Sequence, residues 1–141
     1  MRGFTIIELL VVLAIFLVLV AIITPMAINF YKIEMLNKAE SQLVWLLREA
    51  HDNAVNQKNN SFFGVKVLED NFVLFRGESF ADRIEADDHI VFYSDNIKIF
   101  GDDEIVFVPT TGFVKSEAVI ELISVGVSKE INVNKIGVIN Y

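Results

Sequence analysis

From Leu9 to Ile23 the chain is apolar without exception, and no charge falls between Glu8 and Lys32. At 1.5 Å per residue, about 20 helical residues cross a bilayer core, so the stretch from Ile6 to Met26 is long enough to span one. It is a membrane helix or a secretion signal, not the core helix of a soluble domain. Its one irregularity is Glu8. An unpaired charge at the bilayer centre costs roughly 2.5–3.5 kcal/mol on the mildest scales. A carboxylate at the mouth of the run therefore needs a partner, or a route to the interface.

The chain has 141 residues, room for one modest domain beside the anchor. Removing Arg2 from the 12 basic residues and Glu8 from the 19 acidic ones leaves the remainder with the same net charge of −7. That balance argues against nucleic acid as a partner, because a general grip on phosphates needs clustered Lys and Arg. There are no cysteines, so neither a disulfide framework nor a thiolate metal site is available.

A cleaved secretory signal fits the first 26 residues poorly. Met1-Arg2 is a lean basic region, the oily stretch outlasts the usual apolar region of about 7–15 residues, and Thr24-Pro25-Met26-Ala27 is a poor cleavage site. In a plain signal anchor, Arg2 would be held on the cytoplasmic side and the C-terminal domain would point outward.

The order of residues is more specific than their hydropathy. Gly3 is followed by Phe4-Thr5-Ile6-Ile7-Glu8, giving G-F-T-x-x-E, and the oily run begins at once. This resembles the class III signal of type IV prepilins and pseudopilins. The resemblance implies that a membrane-embedded prepilin peptidase cuts between Gly3 and Phe4 and that the new Phe4 terminus is N-methylated. It also implies that Glu8, with Thr5 and Pro25, serves assembly, Glu8 pairing with the N-terminal amine of a neighbouring subunit. The expected partners are other pilin or pseudopilin subunits, the peptidase and an inner-membrane assembly platform. The expected location is a single-pass inner-membrane protein, N-terminus inside, whose outer domain then joins a pilus or pseudopilus. On this reading residues 1–3 are leader, 4–30 the transmembrane and filament-core helix, and 31–141 the globular domain.

Pro25 in a helix interior removes the bond to the Ala21 carbonyl. Membrane helices tolerate this where neighbours satisfy the freed group, and the Thr24 hydroxyl is next door. Beyond it, Ile33, Leu36, Leu43, Leu47, Ala50 and Ala54 recur on one helical face. The spacing predicts one helix from Phe4 to about Gln57, half in lipid and half amphipathic, with Trp45 and Leu46 packing under a sheet.

After Ser61 the hydrophobic period becomes two. Ser61–Leu68 and Asn71–Arg76 read as a hairpin around Glu69-Asp70, and 77–88 reads as a polar loop with room for a single helical turn. Further short strands are expected at 89–93, 97–100, 104–108, 117–124, 130–133 and 137–140. The fold class is α+β: a long N-terminal helix spine packed on a C-terminal antiparallel sheet or sandwich, the pilin layout. The tail I-V-F-V-P-T-T-G, A-V-I-E-L-I-S and K-E-I-N-V-N-K-I-G-V-I is similar to the C-terminal pattern of the GspH/FimT group, with Gly112 and Gly137 at its turn glycines. That group comprises minor pilins and H-type minor pseudopilins of type II secretion, thought to prime or cap assembly. Some of its members bind DNA through basic residues near the C-terminus. Here Lys115, Lys129 and Lys135 stand among Glu117, Glu121 and Glu130, which argues against that role.

Signals for chemistry are sparse. His51 and His89 lie far apart without ligand spacing and read as solvated or capping side chains. The acidic stretches 82–88 and 101–104 lack the alternating oxygen ligands of a calcium loop and read as turn and solubility elements. No nucleophile-elbow, zinc-protease or phosphate-loop pattern occurs, so neither an enzyme nor a cofactor is expected.

Overall fold

The computed structural model describes residues 5–56 and 60–141. Among them are one long helix, α1 (Ile6–Val55), and eight strands: β1 (Phe63–Val67), β2 (Asn71–Arg76), β3 (His89–Phe92), β4 (Lys98–Gly101), β5 (Glu104–Phe107), β6 (Ala118–Ser124), β7 (Val127–Val133) and β8 (Ile139–Asn140). Every strand pairing is antiparallel. The strands form two four-stranded sheets, ordered β3-β2-β1-β5 and β4-β6-β7-β8. A long helix laid on two antiparallel sheets is the α+β layout that the hydrophobic periods and the resemblance both implied. The expected helix ends, Phe4 and Gln57, lie outside the described residues.

α1 changes character midway. An 18-residue window of it has mean hydropathy 3.4 and no residue of that window is buried, so by length and composition it can cross a membrane. Its second half buries Leu36, Leu43, Leu47, Ala50 and Ala54, the stripe read from the sequence. They meet Phe72 and Phe107 of one sheet and Ile120, Leu122 and Ile131 of the other, so the core lies between the helix and both sheets. Leu46 joins this core, whereas Trp45 does not lie beneath a sheet. It is 50 % exposed and meets the edge of the His89 ring at 5.5 Å. Glu40 is buried within the same face and is carried there by Lys129 of β7 at 3.1 Å, which offsets its desolvation.

The β6 strand shows the alternation expected of a strand with one face on a core: Ala118, Ile120, Leu122 and Ser124 are buried and the residues between are not. β2 does not alternate, because Phe72 through Phe75 are all buried. The reason lies in residues 77–88, expected to be a polar loop. This segment folds over the outer face of its sheet, with Phe80 edge-on to Phe75 at 5.5 Å. Arg83 caps the Phe80 ring at 4.0 Å and pairs with Asp88 at 2.8 Å. A single 3-10 turn, Glu85–Asp87, completes it.

β7 begins three residues earlier than the sequence reading placed it, because β6 and β7 are joined by the tight turn Val125-Gly126. Both residues have positive φ, 52° and 76°, as the two-residue hairpin turn with matching twist requires. For a β-branched residue that conformation is strained by about 1–2 kcal/mol. Val125 is exposed and nothing lies within 4 Å of a Cβ built on Gly126. Val125→Asn should therefore stabilise the domain by about 1 kcal/mol, read as a raised thermal midpoint of the full chain in detergent.

Candidate functional site

The candidate site is the start of α1. Thr5 is its N-cap, with extended backbone angles (φ −82°, ψ 150°). Its Oγ1 accepts a hydrogen bond from the Glu8 backbone N–H at 3.3 Å. Thr5-Ile6-Ile7-Glu8 thus has the spacing of a capping box, in which a hydroxyl satisfies one of the orphan amides of the first turn and a glutamate stands three residues on. The same four residues supply the T-x-x-E of the sequence motif, so one stretch both starts the helix and carries the carboxylate. Glu8 lies in the first turn, where the helix dipole favours an anion. Its carboxylate has no partner among the described residues. Gly3 and Phe4, the expected cleavage residues, lie outside them.

Downstream the helix runs without a break through Pro25. The Thr24 hydroxyl does not serve the carbonyl that proline frees. It donates to Val20 O at 2.7 Å, doubling a bond one residue upstream of Ala21.

Residues 1–24 match the family model described as the prokaryotic N-terminal methylation motif. The chain carries the class III signal of type IV pilin-like proteins. No curated protein and no solved structure matches the chain. The prepilin signal fits a membrane-anchored pilin subunit, a structural rather than a catalytic class, processed by prepilin peptidase and assembled with other pilins. The matched residues end just before Pro25, so they include Thr5 and Glu8 but none of the sheet domain.

Elsewhere the structure gives the charged loops local work. Asp102 Oδ2 accepts from the Val119 amide at 2.9 Å, and Lys66 is held by Asp103 at 2.7 Å and Glu104 at 3.5 Å. His89 stands 4.0 Å from the Glu49 carboxylate.

His51 is not simply solvated. Its ring is edge-on to Phe107 at 5.6 Å and is wedged between the two turn glycines. A Cβ at Gly112 would lie 2.6 Å from His51 Nε2, and one at Gly137 would lie 3.0 Å from His51 Cδ2. Both glycines also have positive φ, 68° and 84°. Sequence reasoning noted the glycines and the histidine separately. A histidine on the buried side of the last helical turns, with two turn glycines far downstream, was the only signal linking them.

Proposed function

We propose that this chain is a minor pilin or pseudopilin of the GspH/FimT type, built into a type IV pilus or type II secretion pseudopilus. The observation that carries the reading is the prepilin signal with its glutamate inside the first turn of an anchor helix that the domain leaves bare. On this reading the peptidase cuts between Gly3 and Phe4 and Phe4 is N-methylated. The positive Phe4 amine then lies a few residues from Glu8 in sequence. In a filament of staggered copies, each carboxylate would meet the amine of a neighbour in apolar surroundings, where an opposite charge is the one inexpensive partner. The sheet domain would face the extracytoplasmic side, and the apolar half of α1 would supply the filament core. The C-terminal glycine pattern supports the GspH/FimT assignment, since the two glycines are needed at one packing point against the helix. The domain's net charge of −7 argues against a DNA-receptor role.

The test is processing. Intact mass and N-terminal analysis of protein extracted from membranes should show a methylated Phe4 terminus. Replacing Gly3 by a bulky residue should leave the precursor uncut. A terminus at Met1 in the parent protein, or one near Ala27, would sink the reading.

A further inference from the structure

We propose that the seam between the two sheets is a docking groove for an extended basic segment of a partner polypeptide, which adds as a strand to the open edge of β4. Among the described residues β4 is the last strand of its sheet, paired only with β6. The Asp102 amide donates to Val119 O at 3.0 Å. Antiparallel pairs alternate, so the backbone groups of Phe100 and Lys98 also turn toward β6 and those of Ile99 turn toward the open side. An unpaired amide and carbonyl on a strand edge are a template for another strand.

In front of that edge lies an open cleft of about 690 Å³, closed on its far side by the end of β1 and the turn at Leu68-Glu69. The volume is in the range of ligand sites, and the cleft has a strand along one wall. Its floor is the edge of the core: Val67, Tyr93 and Ile99 are partly buried and pack on it. An added strand would roof these side chains with every second residue while its alternate residues faced the rim.

The charge of the rim selects the occupant. Lys66 is already committed to Asp103 and Glu104. Glu69 and Asp102 then outnumber Lys98 among the lining charges, and Asp70 stands beside Glu69. The Tyr93 hydroxyl reports the same field. Its pKa is raised first by burial and then by the negative charges of Asp70 and Glu69. Basic side chains at alternate positions would match this rim and apolar ones the floor, the usual division of work in strand addition.

The full chain in a neutral detergent should be titrated with the peptide Lys-Val-Lys-Val-Lys, with versions N-methylated on one or the other set of alternate amides, and with Glu-Val-Glu-Val-Glu. The basic peptide should bind in the micromolar range, and one methylated version should lose about tenfold or more. The acidic peptide should not bind. Glu69→Lys, at an exposed turn position, should weaken binding about tenfold. Ile99→Pro should abolish it with the fold retained, since proline is tolerated where an edge amide faces outward. If Ile99→Pro unfolds, Glu69→Lys and the methylated peptides carry the test. Equal binding of both methylated versions, indifference to Glu69→Lys, or no binding of the basic peptide at about 1 mM would overturn the proposal. None of these outcomes depends on processing at Gly3.

Discussion

Glu8→Gln should insert into the membrane and be processed like the parent chain, yet fail to enter the filament. Insertion survives because a neutral amide is cheaper to bury than a charge. Processing survives because Gly3, the proposed cleavage residue, is untouched. The start of the helix survives too, because Thr5 caps the backbone amide of residue 8 and not its side chain. On the proposed pairing, what is lost is the counter-charge for a neighbour's Phe4 amine. Removing one partner of a buried ion pair costs roughly 3–5 kcal/mol, about a hundredfold or more in incorporation. Crosslinking between cysteines placed near Phe4 and near Glu8 on different subunits should report the contact in the parent and its absence in the variant. If Glu8→Gln assembles as well as the parent, the carboxylate is not a docking device and merely reaches the interface.

Gly112→Ala should be strongly destabilising for the sheet domain. Two costs add. The residue sits at φ +68°, which a side chain occupies at about 1–2 kcal/mol. The new Cβ would also press on His51 Nε2 and Val55 Cγ2, both at 2.6 Å. Overpacking of that kind costs typically about 1–3 kcal/mol. A total of about 3 kcal/mol would lower the thermal midpoint by on the order of 10 °C. The two costs separate in a double-mutant cycle. His51→Ala destabilises the parent by removing the Phe107 contact, but it should partly rescue Gly112→Ala by clearing the His51 clash while leaving the Val55 clash and the backbone strain. Strict additivity of the two changes would show that His51 and Gly112 do not press on each other.

What the sequence revealed followed from local chemistry. The helical stripe from Ile33 to Ala54 and the alternation of Ala118–Ser124 are set by which residues must avoid water, and both appear in the core. The motif at residues 3–8 was legible because it is contiguous. What was hidden depended on tertiary packing. Gly77–Asp88 reads as polar, yet Phe80 is the residue through which it covers β2. The four buried residues of β2 were the available hint that something covered its second face. The strand end at Ser124 was legible, but the two-residue turn was not, because Val125 is not a turn residue and residues 125–129 therefore read as a longer connection. Trp45 looked like core from its spacing, but the helix turns it to the margin beside His89.

The strand order has a consequence for how such a subunit gives way under load. The chain leaves the first sheet after β3, lays β4 at the edge of the second, returns to place β5 beside β1, and crosses again to β6. Each sheet therefore contains a strand flanked in sequence by strands of the other. The ties run through β4 and β5, each the last strand of its sheet, and α1 touches both sheets. Opening that starts at these outer strands therefore loosens both sheets together rather than one alone. A subunit held by its helix in a filament would carry load into both sheets at once, because α1 packs against each.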